Sequence, residues 1–194
     1  LTFAYFDKQV DDWITGETQS ERIPLASYPD GVEFFINRPR NIDKADIDGW
    51  EINWQHTLDF GLGWQANYSS IDSNAVLDLD SDFSLEGLSD TYNIVVFYET
   101  DRFMIRVAHN WRENFLQNLQ DQSSTLEFPE PQYTDDYKQW DISASYRIND
   151  MFRILFEGIN ITDEGTLKHG RYSNHFLEYI ETGPRYRIGV RGTF

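Results

Sequence analysis

The chain has 194 residues, 40% of them hydrophobic and 16% aromatic, with no cysteine and a formal net charge of −17. That hydrophobic content suits a folded chain, the missing thiols exclude a disulfide framework or a thiolate metal site, and the acidity argues against nucleic acid as a partner, because phosphate binding needs a cationic surface. The longest apolar run, Ile94-Val95-Val96-Phe97-Tyr98, falls well short of the roughly eighteen residues a membrane helix requires.

Taken in order, the segments alternate apolar with polar side chains, the period of a strand rather than of a helix. The chain starts at Leu1, without Met or a secretion leader, so the expectation is a processed protein or a piece of a longer one. "LTFAYFDKQVDDWI" opens it as a strand of ambiguous phase. "GWEINWQHTL" places Trp50, Ile52, Trp54 and Leu58 on one face, with Glu51, Asn53, Gln55 and Thr57 on the other. "FGLGWQANYSS" alternates most cleanly, with Phe60, Leu62, Trp64, Ala66 and Tyr68 against Gly61, Gly63, Gln65, Asn67 and Ser69. "TYNIVVFYE" follows, then "FMIRVAHNWR", whose apolar side carries Phe103, Ile105, Val107 and Trp111 with His109 as its one polar member. "WDISASYRI", "MFRILFEGINIT" and the closing "GPRYRIGVRGTF" complete eight strands, the last setting Tyr186, Ile188, Val190, Gly192 and Phe194 opposite Arg185, Arg187, Gly189, Arg191 and Thr193.

Connections alternate in length. Short turns fall at 57–59, 99–102 and 147–150, and long connections at about 15–44, 71–89, 114–135 and 163–182. A sandwich has no reason to gather every long loop at one end, whereas outer-membrane barrels have short periplasmic turns and long extracellular loops. About eleven residues at ~3.3 Å each, tilted by roughly 40°, also rise about 27 Å, close to the apolar band of such barrels. Aromatics near strand ends (Trp50, Tyr68, Tyr92, Tyr98, Trp111, Trp140, Tyr146, Tyr186 and Phe194) suit the two water interfaces of a bilayer. The expected fold class is therefore all-β, an antiparallel transmembrane β-barrel segment of about eight strands. Its polar face, with Glu51, Asn53, Gln65, Asn67, Arg106, Arg112 and Asp141 as candidates to meet a ligand, would line a hydrated lumen.

At this point "GWEINWQHTL", "GLSDTYNIVVFYE", "FRILFEGINITDE" and "YRIGVRGTF" resemble the C-terminal barrel strands of TonB-dependent receptors of Gram-negative bacteria. The resemblance implies that residues 1–194 form the last third of a 22-stranded barrel of the cell outer membrane, with the plug domain outside this chain. It further implies uptake of a scarce nutrient, a saccharide or a siderophore-like ligand, energised by TonB through that plug. The partners it implies are outer-membrane lipid, lipopolysaccharide and the barrel-assembly machinery. Tyr186, Arg187, Gly189 and Phe194 match the family's terminal assembly signal, while Gly192 stands where a larger apolar residue is usual.

Chemistry is sparse by comparison. The four long connections hold 18 acidic and 6 basic residues, so most of the acidity lies in them; such a rim repels anions, favouring a neutral or cationic ligand, and equally keeps loops solvated. Asp78, Asp80, Asp82 and Glu86 superficially resemble a calcium loop but lack its turn glycine and final acid, where Ser89 stands. His56, His109, His169 and His175 have no ligand spacing, and no nucleophile elbow accompanies the serines. No metal, cofactor or catalytic residue is expected, and the chain is not expected to be an enzyme. Two other readings stay open: a self-contained eight-stranded outer-membrane barrel, structural or a narrow pore, and a soluble β-sandwich binding module.

Overall fold

The computed structural model describes residues 1–74, 86–120 and 130–193. Twelve strands fill them: β1 (Thr2–Leu25), β2 (Tyr28–Thr57), β3 (Leu62–Ser73), β4 (Thr91–Glu99), β5 (Phe103–Arg112), β6 (Phe115–Gln120), β7 (Glu130–Thr134), β8 (Tyr137–Arg147), β9 (Phe152–Ile159), β10 (Thr166–His169), β11 (Phe176–Ile180) and β12 (Arg185–Gly192). Eight of them, in the order β1-β2-β3-β4-β5-β8-β9-β12, make one antiparallel wall, and the remaining four, ordered β11-β10-β7-β6, make a small sheet from the connections.

Strand pairing turns the period-two pattern into surfaces, because directly opposed residues of antiparallel strands share a face. One row runs Trp54, Ala66, Ile94, His109, Trp140 across β2 to β8. The next runs His56, Trp64, Val96, Val107, Ile142, Gly158, Tyr186, and the one after it Leu62, Tyr98, Ile105, Ala144, Phe156, Ile188. The apolar sides of the wall strands thus merge into one continuous face. Aromatic side chains join across the strands on it: Trp50 lies 4.9 Å from Tyr68, Tyr92 stacks 5.1 Å from Trp111, and His109 stacks 4.2 Å from Trp140. His109 is therefore held between the rings of Tyr92 and Trp140.

This face is left largely bare among the described residues. Among the described residues the buried hydrophobic side chains are Ala45, Val95 and Leu116, while Ile188 is 76% exposed and Val190 68%. A sandwich would hide such a surface under a second sheet, at roughly 25 cal/mol gained per Å². The exposure of this face among the described residues overturns the soluble-sandwich reading. Hydrocarbon is the solvent that makes a bare apolar sheet face stable, provided every backbone group is paired within the sheet. The wall is also open, with β1 and β12 as its edges, so among the described residues it does not close on itself as an eight-stranded barrel does.

Two expectations need correction. Residues 15–44 are two strand arms around a turn at 26–27, not loop: β1 and β2 hold one register from Thr2 opposite Asn53 to Ile23 opposite Val32. Val32, Phe34, Phe35 and Ile36 favour extended backbone, and the Arg38–Glu21 ion pair at 2.5 Å ties the arms together. Pro24 coincides with a register shift, and Pro39 sits where β2 has lost β3 as its second neighbour. At ~3.3 Å per residue this hairpin reaches about 80 Å, far beyond a ~25 Å apolar band, so its distal half projects into water. Second, the connections at 114–135 and 163–182 contain β6, β7, β10 and β11, and β7 pairs with β10, Lys168 opposite Thr134 and His169 opposite Tyr133.

At the short-turn end, Gly61 closes the β2–β3 turn with φ of +95°, and a Cβ there would stand 1.9 Å from the Glu99 carbonyl oxygen. Both the left-handed backbone and the approach of β4 require glycine. Gly61→Ala is expected to destabilise the folded barrel by about 1–3 kcal/mol, read as a lower urea midpoint of the heat-modifiable band; an unchanged midpoint would mean the turn relaxes freely.

Candidate functional site

The seven residues singled out from the sequence lie on the polar face of the wall, in adjacent rows. Glu51, Ser69, Thr91, Arg112 and Tyr137 form one row across β2 to β8. Asn53, Asn67, Asn93, Asn110 and Gln139 form the next, and Gln55, Gln65, Val95, Ala108 and Asp141 the third. The middle row is an amide ladder, one carboxamide on each of five neighbouring strands. Sequence reading picked out Asn53 and Asn67 but missed Asn93, Asn110 and Gln139, since only pairing shows that residues 53 and 139 belong to one line.

Hydrogen bonds orient the ladder. The Asn93 backbone N–H donates to Asn67 Oδ1 at 3.1 Å, and the Asn93 amide donates to Asn110 Oδ1. At its far end the Tyr137 hydroxyl donates to Gln139 Oε1 at 2.9 Å, and Gln139 Nε2 donates to both oxygens of Asp141 at 2.7 and 2.9 Å. Asp141 also accepts the Asn160 N–H at 2.9 Å, which fixes the strand exit where Asn160 adopts φ of +53°. Each carboxamide can form more hydrogen bonds than these.

Two depressions follow the ladder. One of about 190 Å³ is lined by Glu51, Asn53, Asn67, Ser69 and Thr91, and one of about 250 Å³ by Asn93, Arg106, Asn110, Asp141, Ser143 and Glu157. Glu51, Asn53 and Asn67 thus meet in one, Arg106 and Asp141 in the other, and exposed Gln65 lies one row away.

Arg112 has a different setting. Its Nε donates to Ser89 Oγ at 2.8 Å, its Nη2 donates to the Gly87 carbonyl at 2.6 Å, and its guanidinium lies 3.7 Å from the Phe115 ring centroid. Gly87 N–H in turn donates to the Leu116 carbonyl at 2.8 Å, so the end of the β3–β4 connection is latched onto β5 and β6. Arg112→Ala should release that latch, with protease cleavage on intact cells within 71–89 rising several-fold; equal cleavage in variant and parent would deny the latch. Asp78, Asp80 and Asp82 of that connection lie outside the described residues, and among the described residues no group of three metal-type ligands forms.

Of the terminal signal, Tyr186 stands on the apolar face 6.3 Å from Phe156, Arg187 pairs with Glu157 on the polar face, and Gly189 opposes Leu155. Phe194 lies outside the described residues. Just before β8, Asp136 forms a 2.7 Å ion pair with Lys138, whose hydrogen bond holds the carboxyl below the usual carboxylate range.

The family model described as "TonB dependent receptor-like, beta-barrel" matches residues 1–161. No curated protein and no solved structure matches the chain.

Proposed function

The chain belongs to the TonB-dependent receptor β-barrel family, outer-membrane receptors and transporters of Gram-negative bacteria, and we propose that residues 1–194 form the C-terminal third of a 22-stranded barrel that imports a scarce nutrient with energy from TonB. The apolar face then meets outer-membrane lipid and lipopolysaccharide, and the polar face lines the lumen. The open edges of the wall support a larger barrel over a self-contained eight-stranded one. On this reading TonB acts through a plug domain elsewhere in the protein, and the terminal strand is read by the barrel-assembly machinery. The family is one of transporters rather than enzymes.

The amide ladder carries the choice of ligand. Carboxamides donate and accept at once, as hydroxyl groups do, so a file of five suits a neutral, hydroxyl-rich molecule such as an oligosaccharide. The excess of acid in the long connections supports the same class over an anionic iron chelate. Uptake of labelled oligosaccharides and of a ferric chelate by cells carrying the full-length protein, with and without TonB, tests both halves. Saccharide uptake that vanishes without TonB is expected; uptake of the chelate alone would overturn the ligand class, and uptake independent of TonB would overturn the energisation.

A further inference from the structure

The smaller depression, at the long-connection end of the polar face, carries an unbalanced charge. It holds about 190 Å³, and among its lining residues Glu51 alone is ionised, beside the amides of Asn53 and Asn67 and the hydroxyls of Ser69 and Thr91. The cross-strand neighbours of Glu51 are Ala4 and Ser69, and its carboxylate has no ion-pair or hydrogen-bond partner among the described residues. Two bases share this part of the face, and both are engaged elsewhere. Arg112, in the same row, is held by Ser89, Gly87 and Phe115, and Lys8 places its Nζ 5.1 Å from the Phe6 ring centroid. Phe6 itself lies across Gly49, one row outward of Glu51, where a Cβ would stand 2.7 Å from Phe6 Cζ.

From this constellation we infer that the oligosaccharide carries a free amino group, an amino sugar whose ammonium pairs with Glu51; the inference rests on the saccharide reading of the amide ladder. A neutral hydroxyl would bond the carboxylate yet leave its charge unbalanced as the ligand displaces water. An ammonium balances it and donates charge-assisted hydrogen bonds. A bare divalent ion fits poorly, since it calls for about six oxygen ligands and Glu51 is the one acid lining the depression. A simple amine would engage Glu51 and leave the surrounding amides and hydroxyls idle. A sugar ring bearing an amine uses them all, and its C–H face can lie against Phe6, whose row is about 7 Å from that of Glu51, two residues at ~3.3 Å each. The long connections, with 18 acidic and 6 basic residues, draw cations toward the same end of the wall.

The test titrates the purified full-length protein with two oligomers of equal length, the tetramer of glucosamine and that of N-acetylglucosamine, in which acetylation removes the charge. The glucosamine tetramer is expected to bind at least ten-fold tighter. Glu51→Gln keeps the shape and loses the charge, so it should bring the ratio of the two affinities below two-fold, while Glu51→Asp retains a preference for the amine. Should Glu51→Gln fail to assemble, salt gives the reading on the parent protein: between ~0.05 and ~0.5 M NaCl the preference should fall at least three-fold, because a charge pair on a wetted face is screened. Equal binding of the two tetramers by the parent would overturn the inference and leave the saccharide reading standing. A preference kept by Glu51→Gln, or one indifferent to salt, would overturn it as well, since Glu51 would not be what selects the amine. Binding of neither tetramer by a protein that imports another oligosaccharide would overturn the inference alone; binding of neither, with no saccharide imported, would overturn both.

Discussion

Replacing Asn67, Asn93 and Asn110 together by alanine is expected to weaken ligand binding about 100-fold and to leave barrel assembly intact. Each lost amide removes hydrogen bonds worth about 1 kcal/mol net, and three together amount to roughly 3 kcal/mol. The three occupy successive strands β3, β4 and β5, so truncation opens the centre of the ladder while Asn53 and Gln139 hold its ends. Assembly is spared because these side chains lie on the wetted face, where alanine is a common strand neighbour; Ala108 sits on it already, one row away. Titration of the purified full-length protein with the transported oligosaccharide reads the affinity. A loss below about three-fold would show that the ladder is scaffold and that the ligand is held elsewhere.

Val96→Arg should cost about 2–4 kcal/mol of barrel stability, the range for a cation facing mid-bilayer hydrocarbon. Val96 lies in the central apolar row between Trp64 and Val107 and is 45% exposed, so an arginine there meets lipid with no carboxylate beside it. Gln55→Arg is the matched control, since Gln55 is exposed on the opposite face beside Gln65. The contrast between the two variants measures which face is solvated by hydrocarbon. Urea unfolding in detergent micelles, with surface abundance in cells as a second readout, separates them. Equal destabilisation by both, or by neither, would contradict the assignment of faces.

Much of the wall is written locally. Trp54, Ala66, Ile94 and Ile142 can each be assigned a side from their immediate neighbours, because alternation is a property of one strand. The ladder is not local: Asn93 and Gln139 come into one row of amides only through the register of two intervening pairings, fixed by turn geometry and by which face must avoid water. Arg112 shows the converse. Its position on the polar face is legible, but its engagement by Ser89, Gly87 and Phe115 depends on where a connection returns to the wall. The distal half of the first hairpin was obscured by Gly16, Pro24 and Pro39, all poor in strands, which long-range pairing nevertheless accommodates at an unshared edge. Strands of four to six residues such as β6 and β10 carry too few alternations to stand out, and β7 and β10 find each other from separate connections.

That last pairing sets a rule for how the outer surface can vary. Because Thr134 and Tyr133 hydrogen-bond into the strand of Lys168 and His169, the two connections form a single module with one shared seam. An insertion in either that shifts β7 or β10 by one residue would turn Tyr133 away from His169, whose rings now stack at 5.3 Å, and unseat both connections at once. Sequence drift in either connection must therefore be matched across two distant stretches of the chain. The end of the β3–β4 connection is tied to the same module, since the Gly87 N–H donates to the Leu116 carbonyl of β6, so a change near Gly87 is felt there too.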